Sequence, residues 1–176
     1  MDPSNFSWEI ISRLFGEPFT SPAVGEFLSE NGVDSVKLWQ EVPIGLVTAE
    51  KQLISDTAEI DLKEIVGVRL RFRMGYLLRQ FRRLGSEFLF SEVDYFAPGE
   101  AATAKAFTGS LPFSLSFADT EIDVLQKISV ARSSQGEDAH NVYYFRRWDF
   151  PDYVLQTVFL TRSRQLRRVI GFLPLK

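Results

Sequence analysis

Apolar and charged residues change places at every position through "EIVGVRLRFR", residues 64–73, setting Val66, Val68, Leu70 and Phe72 against Arg69, Arg71 and Arg73. A period of two predicts a strand with one face buried and one face wet. "EFLFSEVDYF", residues 87–96, predicts a second strand, closed by Pro98 and Gly99. Three more follow near the C-terminus, in "VYYFRRW", "YVLQTVFL" and "LRRVIGFL", and the "TRSRQ" between the last two has the length of a hairpin connection. Gly75 and Gly85 bracket "YLLRQFRRL", whose Leu77, Leu78, Phe81 and Leu84 suit a short helix or a bent strand equally.

A helical period takes over elsewhere. From Asn5 to Phe15, Phe6, Trp8, Ile10, Ile11, Leu14 and Phe15 recur at helical spacing behind the candidate caps Ser4 and Ser7. Ser21 and Pro22 open a second helix carrying Val24, Phe27 and Leu28, and Asn31-Gly32 ends it. A third follows Asp119 or Thr120, with Ile122, Leu125 and Ile128 as its inward stripe. Residues 33–60 have no clear period; "TAEKQLISDTAEIDL" has the look of an irregular edge, and "SSQGEDAHN" reads as a polar loop. The order helix, strands, helix, strands predicts one α+β domain over residues 1–176, an antiparallel sheet with helices packed on one face. "FGEPFTSPAVGEFL" and "FADTEIDVLQKI" each place Phe, a capped break and an apolar stripe before a run of strands. Residues 5–96 and 107–176 are therefore candidate repeats.

Sixteen Phe among 176 residues supply bulky side chains for a core between sheet and helices. No Cys is present, which removes thiol nucleophiles, disulfides and thiolate metal sites. No signal-peptide pattern opens the chain and no run approaches a membrane span, so the expectation is a cytoplasmic protein with no membrane partner. Charge divides unevenly: residues 1–64 hold 12 acids and 4 bases, residues 65–176 hold 11 acids and 16 bases, for a net −3. Such asymmetry offers a patch of one sign to a partner, or is neutralised inside one fold.

Catalytic groups are scarce. His140, the sole histidine, has no nucleophile motif nearby and no second histidine for a metal. Asp119, Glu121 and Asp123 form the densest carboxylate group, but carboxylates in a first helical turn are accounted for by the helix dipole. No glycine spacing fits a phosphate loop. These absences predict no cofactor, no metal and no enzyme. The arginines at 69, 71, 73, 79, 82 and 83, with those at 162, 164, 167 and 168, are enough to track a phosphate backbone. An acidic chain with no nucleic-acid motif around them favours the plainer reading, in which they are the wet side of a sheet and nucleic acid is not a partner.

"NVYYFRRWDFPDY", residues 141–153, interleaves aromatics with arginines, the composition that dominates protein interfaces energetically. The candidate partner-binding residues are Tyr143, Tyr144, Arg146, Arg147, Trp148 and Asp149. Tyr144 and Trp148 are equally suited to packing beneath a helix.

Three segments carry a family resemblance: "GVRLRF" at residues 67–72, "FTGSLPFSLSFADTEIDVLQKI" at 107–128, and "WDFPDYVLQTVFL" at 148–160. A strand, a Gly-x-Leu-Pro turn, a capped helix and an aromatic-acidic corner resemble small bacterial immunity proteins that neutralise polymorphic or secreted toxins. The resemblance implies a cytosolic inhibitor of a cognate toxin domain, acting by stoichiometric occlusion. For a basic toxin, Glu26, Glu30, Asp34 and Glu41 would be the bait; for an acidic one, the arginine rows would serve. The alternative is a non-catalytic structural or adaptor protein, chaperone-like or homodimeric, that pairs through its sheet. An enzyme working with carboxylates alone is a third.

Overall fold

The computed structural model describes residues 1–42, 46–47, 53–81, 87–100, 103–129, 133–137 and 142–175. Eight strands form one antiparallel sheet: β1 Trp39–Val42, β4 Thr57–Leu62, β5 Val68–Met74, β6 Phe88–Phe96, β7 Ser133–Glu137, β8 Tyr143–Asp149, β9 Val154–Leu160 and β10 Leu166–Phe172. Their order is β1-β4-β5-β6-β10-β9-β8-β7, while β2 Leu46–Val47 and β3 Leu53–Ile54 pair as a separate hairpin. Each half of the sheet runs through its four strands in chain order. The halves meet at their last strands, β6 and β10, with Val169 opposite Tyr95 and Gly171 opposite Val93. Helix-then-four-strands therefore occurs twice in the topology.

Alternation sorts the side chains. Val68, Leu70 and Phe72 lie opposite Leu62, Ile60 and Ala58 on one side and Tyr95, Val93 and Phe90 on the other, and all are buried on the same face. Onto this inner face pack α1 Trp8–Ile11, α2 Pro22–Glu30 and α5 Glu121–Lys127, through Ile11, Val24, Phe27, Leu28 and Val124, together with Phe6 from the turn before α1. Aromatic edges knit the contact: Phe6 meets Phe27 with ring centroids 5.4 Å apart, and Phe15 stacks on Phe90 at 5.4 Å. The sheet must be flat enough at Gly171 for Trp8 to sit on it, because a Cβ there would penetrate the indole ring. This is the α+β architecture expected, with the helices on one face.

Several elements differ from their sequence pattern. The first helical stretch is broken into a 3₁₀ turn at Pro3–Phe6, α1, and a second 3₁₀ turn at Ser12–Leu14. Ser7 takes an extended ψ of 150° between them and spends its hydroxyl on Ser4 O, so the inward stripe is interrupted and Ile10 is exposed. The second helix runs as read, with Ser21 Oγ accepting from Val24 N at 3.3 Å. Asp34 caps a helical turn, α3 Ser35–Leu38. Within residues 33–60, β4 is a regular interior strand instead of an irregular edge. Residues 63–66 form a helical turn, α4 Lys63–Val66, closed by Gly67 at φ 73°, so the arginine strand starts only at Val68. Residues 133–137 are edge strand β7 where a polar loop was expected. Residues 138–141 with His140, and residues 82–86 with Arg82, Arg83 and Gly85, lie outside the described residues.

Of the inward stripe expected on the third helix, Ile128 is buried in the core and the other two positions are corrected. Thr120 and Asp123 form a capping box, while Val124 and Glu121 face inward; Ile122 is 66% exposed and Leu125 sits at the surface. The register of α5 is set by Glu121, which docks onto two arginines.

Gly67→Ala forces a side chain into a left-handed backbone, with a Cβ 2.5 Å from Lys105 O. Chemical denaturation should show a loss of at least about 1–3 kcal/mol. Gly25→Ala, inside α2 where an added Cβ meets nothing, should be neutral or stabilising by about 0.5–1 kcal/mol.

Candidate binding surface on the open sheet face

The other face of the sheet carries the opposite set of side chains. On β5, Arg69, Arg71 and Arg73 stand in register with Asp94, Glu92 and Leu89 of β6 and with Asp61, Glu59 and Thr57 of β4. Arg69 donates through Nε to Asp94 Oδ2 at 2.9 Å, and its Nη2 contacts the same oxygen. Arg71 pairs with Glu92 and lies 3.4 Å from Glu59; Arg73 reaches Glu92 at 2.5 Å. Burial alone would lower the Arg69 pKa, but Asp94, Glu59 and Glu92 outweigh it and raise it, so the guanidinium stays charged. The arginine row is thus a half-buried ion-paired ladder whose acids come partly from the N-terminal portion and partly from β6. A ladder of matched charges has no cation to spare.

Across β6 the face changes character. Register places Phe96, Arg168 and Val158 in one row and Asp94, Ile170 and Gln156 in the next. Phe145 and Arg147 of β8 continue these rows. Two guanidiniums close on the Phe96 ring, Arg69 at 5.5 Å and Arg168 at 5.3 Å from its centroid, while Arg147 lies 5.5 Å from the Phe172 centroid. Tyr143, Phe145, Gln156, Val158, Arg168 and Ile170 line an open cleft of about 290 Å³. Strand residues alone build this cleft. On a sheet with one wet face, the wet side ordinarily reads polar. Here Tyr143, Phe145, Ile170 and Phe172 remain partly exposed on it.

A second concavity, about 240 Å³, sits at the β8 edge of the inner side, lined by Glu121, Gln135, Glu137, Tyr144, Arg146 and Arg164. Glu121 accepts from Arg146 Nε at 2.8 Å and from Arg164 Nη1 at 2.6 Å. Arg164 holds a left-handed φ of 56°, its N–H donating to Leu160 O and its carbonyl accepting from Glu121 N. Burial works to raise the Glu121 pKa, but the two guanidiniums and the nearby Tyr144 hydroxyl outweigh it and hold the carboxyl below its ordinary range. The Tyr144 phenol, buried without a hydrogen bond of normal geometry, is pushed up to about 12 by that burial and by Glu121. This cluster clamps α5 to β8 and to the β9-β10 turn.

Six sequence-predicted residues of β8 therefore separate. Tyr143, Arg147 and Asp149 point to the open face, Tyr144 and Arg146 enter the Glu121 clamp, and Trp148 is fully buried. Trp148 is thus corrected from a partner contact to a core residue, because the strand's alternation turns it toward the helices. Glu26 and Glu30 lie one turn apart on the exposed side of α2, and Asp34 caps α3; Glu41 is exposed on β1. None of these four forms an ion pair among the described residues. Asp119 and Asp123 are occupied structurally, Asp119 by Ser116 N and Lys127 and Asp123 by the Thr120 cap. Among the described residues no three His, Asp or Glu side chains are grouped to hold a metal, and no helix is long and apolar enough to cross a membrane. No family model, curated protein or solved structure gives a significant match to this chain.

Phe145, Val158, Ile170 and Phe172 were not singled out by their residue types, and Arg168 only as one of the arginine rows. Their signal was present: "YYF" and "VIGF" set apolar residues at adjacent positions, which places them on both faces of a strand.

Glu121→Gln should lower stability at pH 7 by about 1–3 kcal/mol, since Arg146 keeps little access to water. The Glu121 pKa is depressed in the fold, so its contribution is complete above its ordinary value near 4.5 and disappears as pH falls through the lower folded value. Urea titrations between pH 7 and pH 3 should show a shallower acid loss in Glu121→Gln than in the parent chain.

Proposed function

We propose that this chain is an immunity protein, which binds a bacterial toxin or secreted effector domain in the cytosol and neutralises it by covering its active site. The observation that carries the reading is the open sheet face, where partly exposed aromatic and aliphatic side chains stand on rigid strands backed by a helical layer. A surface of this kind binds with little ordering cost, because its side chains are already held by their neighbours. Arginines and aromatics at its centre are the residue types from which interface hot spots are built. An interface of ordinary size, roughly 1,600 Å² in total, would extend from the β8–β10 cleft over the ion-paired ladder. The ladder then supplies complementarity and orientation instead of bulk affinity. The acidic side chains Glu26, Glu30, Asp34 and Glu41, without ion pairs among the described residues, are a second patch that would steer a basic partner during approach.

A second reading has one observation of its own: among the described residues β7 pairs only with β8, leaving a sheet edge through which an adaptor would join another chain or a second copy.

Co-expression with the product of the neighbouring gene should rescue growth and yield a one-to-one complex on co-purification. Phe145→Asp and Ile170→Asp, placed on the open face away from the helices, should keep the circular dichroism of the parent chain and weaken that complex by about 100-fold or more. Rescue unchanged by either substitution would remove the open face from the interface, and failure of both rescue and co-purification would end the immunity reading. Concentration-dependent dimers with no hetero-complex, lost on proline substitution at Gln135 of β7, would establish the edge-pairing reading in its place.

A further inference from the structure

Arg168 differs from the other sheet arginines. Arg69, Arg71, Arg73, Arg146 and Arg147 each donate hydrogen bonds to carboxylates, and so does Arg167. Arg168 donates none among the described residues. Its Nε is buried without an acceptor, and Nη2 lies 3.6 Å from Glu100 Oε1, beyond hydrogen-bonding distance. Glu100 is committed to Arg167 Nε at 3.2 Å. Two guanidiniums thus share one carboxylate, and one positive charge is left over where the face turns apolar.

The surroundings specify what would use it. Among the described residues Arg168 is the only charged one lining the cleft, and the other walls are Tyr143, Tyr144, Phe145, Gln156, Val158 and Ile170. At about 290 Å³ the cleft is at the lower limit of small-molecule sites and has the scale of a single bulky side chain. The Arg168 side chain keeps 29% of its surface exposed, so an incoming carboxylate that reaches the accessible edge of its guanidinium gains a charge-assisted bond. A phosphate backbone fits less well. Along the rest of the face, Glu59, Glu92, Asp94 and Asp149 alternate with the arginines, so no continuous positive track exists for a polyanion.

We infer that the Arg168 cleft is a recognition slot for a protein partner's carboxylate standing beside an aromatic or aliphatic side chain. The slot rests on the reading of the open face as a binding surface, and it does not require the partner to be a toxin. The aromatic group lies between Phe145, Val158 and Ile170, and its neighbouring carboxylate accepts from the Arg168 guanidinium.

N-acetyl-phenylalanine and its uncharged amide serve as probes, titrated against the full chain and followed by backbone and methyl NMR. The acid should bind saturably at millimolar concentration, shifting signals of Phe145, Val158, Arg168 and Ile170. The amide should bind at least about fivefold more weakly, the effect of one partly screened charge-assisted bond. Arg168→Gln should abolish the preference for the acid and Arg168→Lys should keep part of it. Phe145→Ala, which leaves the charge in place, should weaken acid and amide alike and serves as the second variant should Arg168→Gln unfold. Equal binding of acid and amide, shifts centred elsewhere, an acid preference that survives Arg168→Gln, or saturable binding of a single-stranded oligonucleotide at this face would each overturn the assignment. A toxin complex that forms normally with Arg168→Gln would sink the slot and leave the immunity reading standing; acid-selective binding by a chain with no toxin partner would do the reverse.

Discussion

A sheet covered by helices on one side only imposes a division on every strand within it. Once Val68, Leu70 and Phe72 are buried beneath the helical layer, Arg69, Arg71 and Arg73 have no choice but the opposite face. Guanidiniums side by side on one strand repel one another and need counter-charges in register. Asp94 and Glu92 on β6 and Glu59 on β4 supply them. The apolar packing on the inner face and the ion-paired ladder on the outer face are therefore two consequences of a single register. A slip of one residue would destroy both.

The junction of β6 with β10 extends this division across both halves of the chain. β6 is nearly buried throughout, and a register shift between Arg71 and Phe72 lets it keep Phe90 and Val93 inward while Glu92 and Asp94 face the arginines. On the far side, Gly171 removes the side chain that would obstruct Trp8, and α1 settles against the centre of the sheet. The Glu121 clamp performs the comparable task at the other end, fixing α5 against β8 and the turn before β10. With its back held at both places, the open face is presented as a rigid surface.

That surface has two parts with different chemistry. The β4–β6 part is charged and internally matched, and water and salt screen what remains of its field. The β8–β10 part is apolar and aromatic, with Arg168 incompletely matched at the border. Apolar area and an incompletely matched cation thus coincide on one part of the face, with the matched ladder beside them.

The sequence by itself determined the strands with clean alternation or uninterrupted apolar runs, β5, β6, β8, β9 and β10, along with α2 and its Ser21 cap, and through their order the α+β class. These elements are legible because their signals are local: a period, a cap, a break. Only the tertiary structure decided the rest. β7 has a weak pattern of its own and is a strand because β8 offers it a ladder of hydrogen bonds, whereas the alternation of Ala58, Ile60 and Leu62 with Glu59 and Asp61 in β4 is short and follows a stretch without a period. The inward side of α5 was misread because Ile122 and Leu125 are apolar, whereas the helix turns on an ion pair between Glu121 and two arginines distant in sequence. For the candidate site, residue type drew attention to β8, but which of its residues stand on the open face depends on the side from which helices cover the sheet. That choice buries Trp148, locks Arg146 into a clamp, and brings Phe145, Ile170 and Arg168 together from three strands. Long-range pairing creates such a surface, and no single stretch of chain contains it.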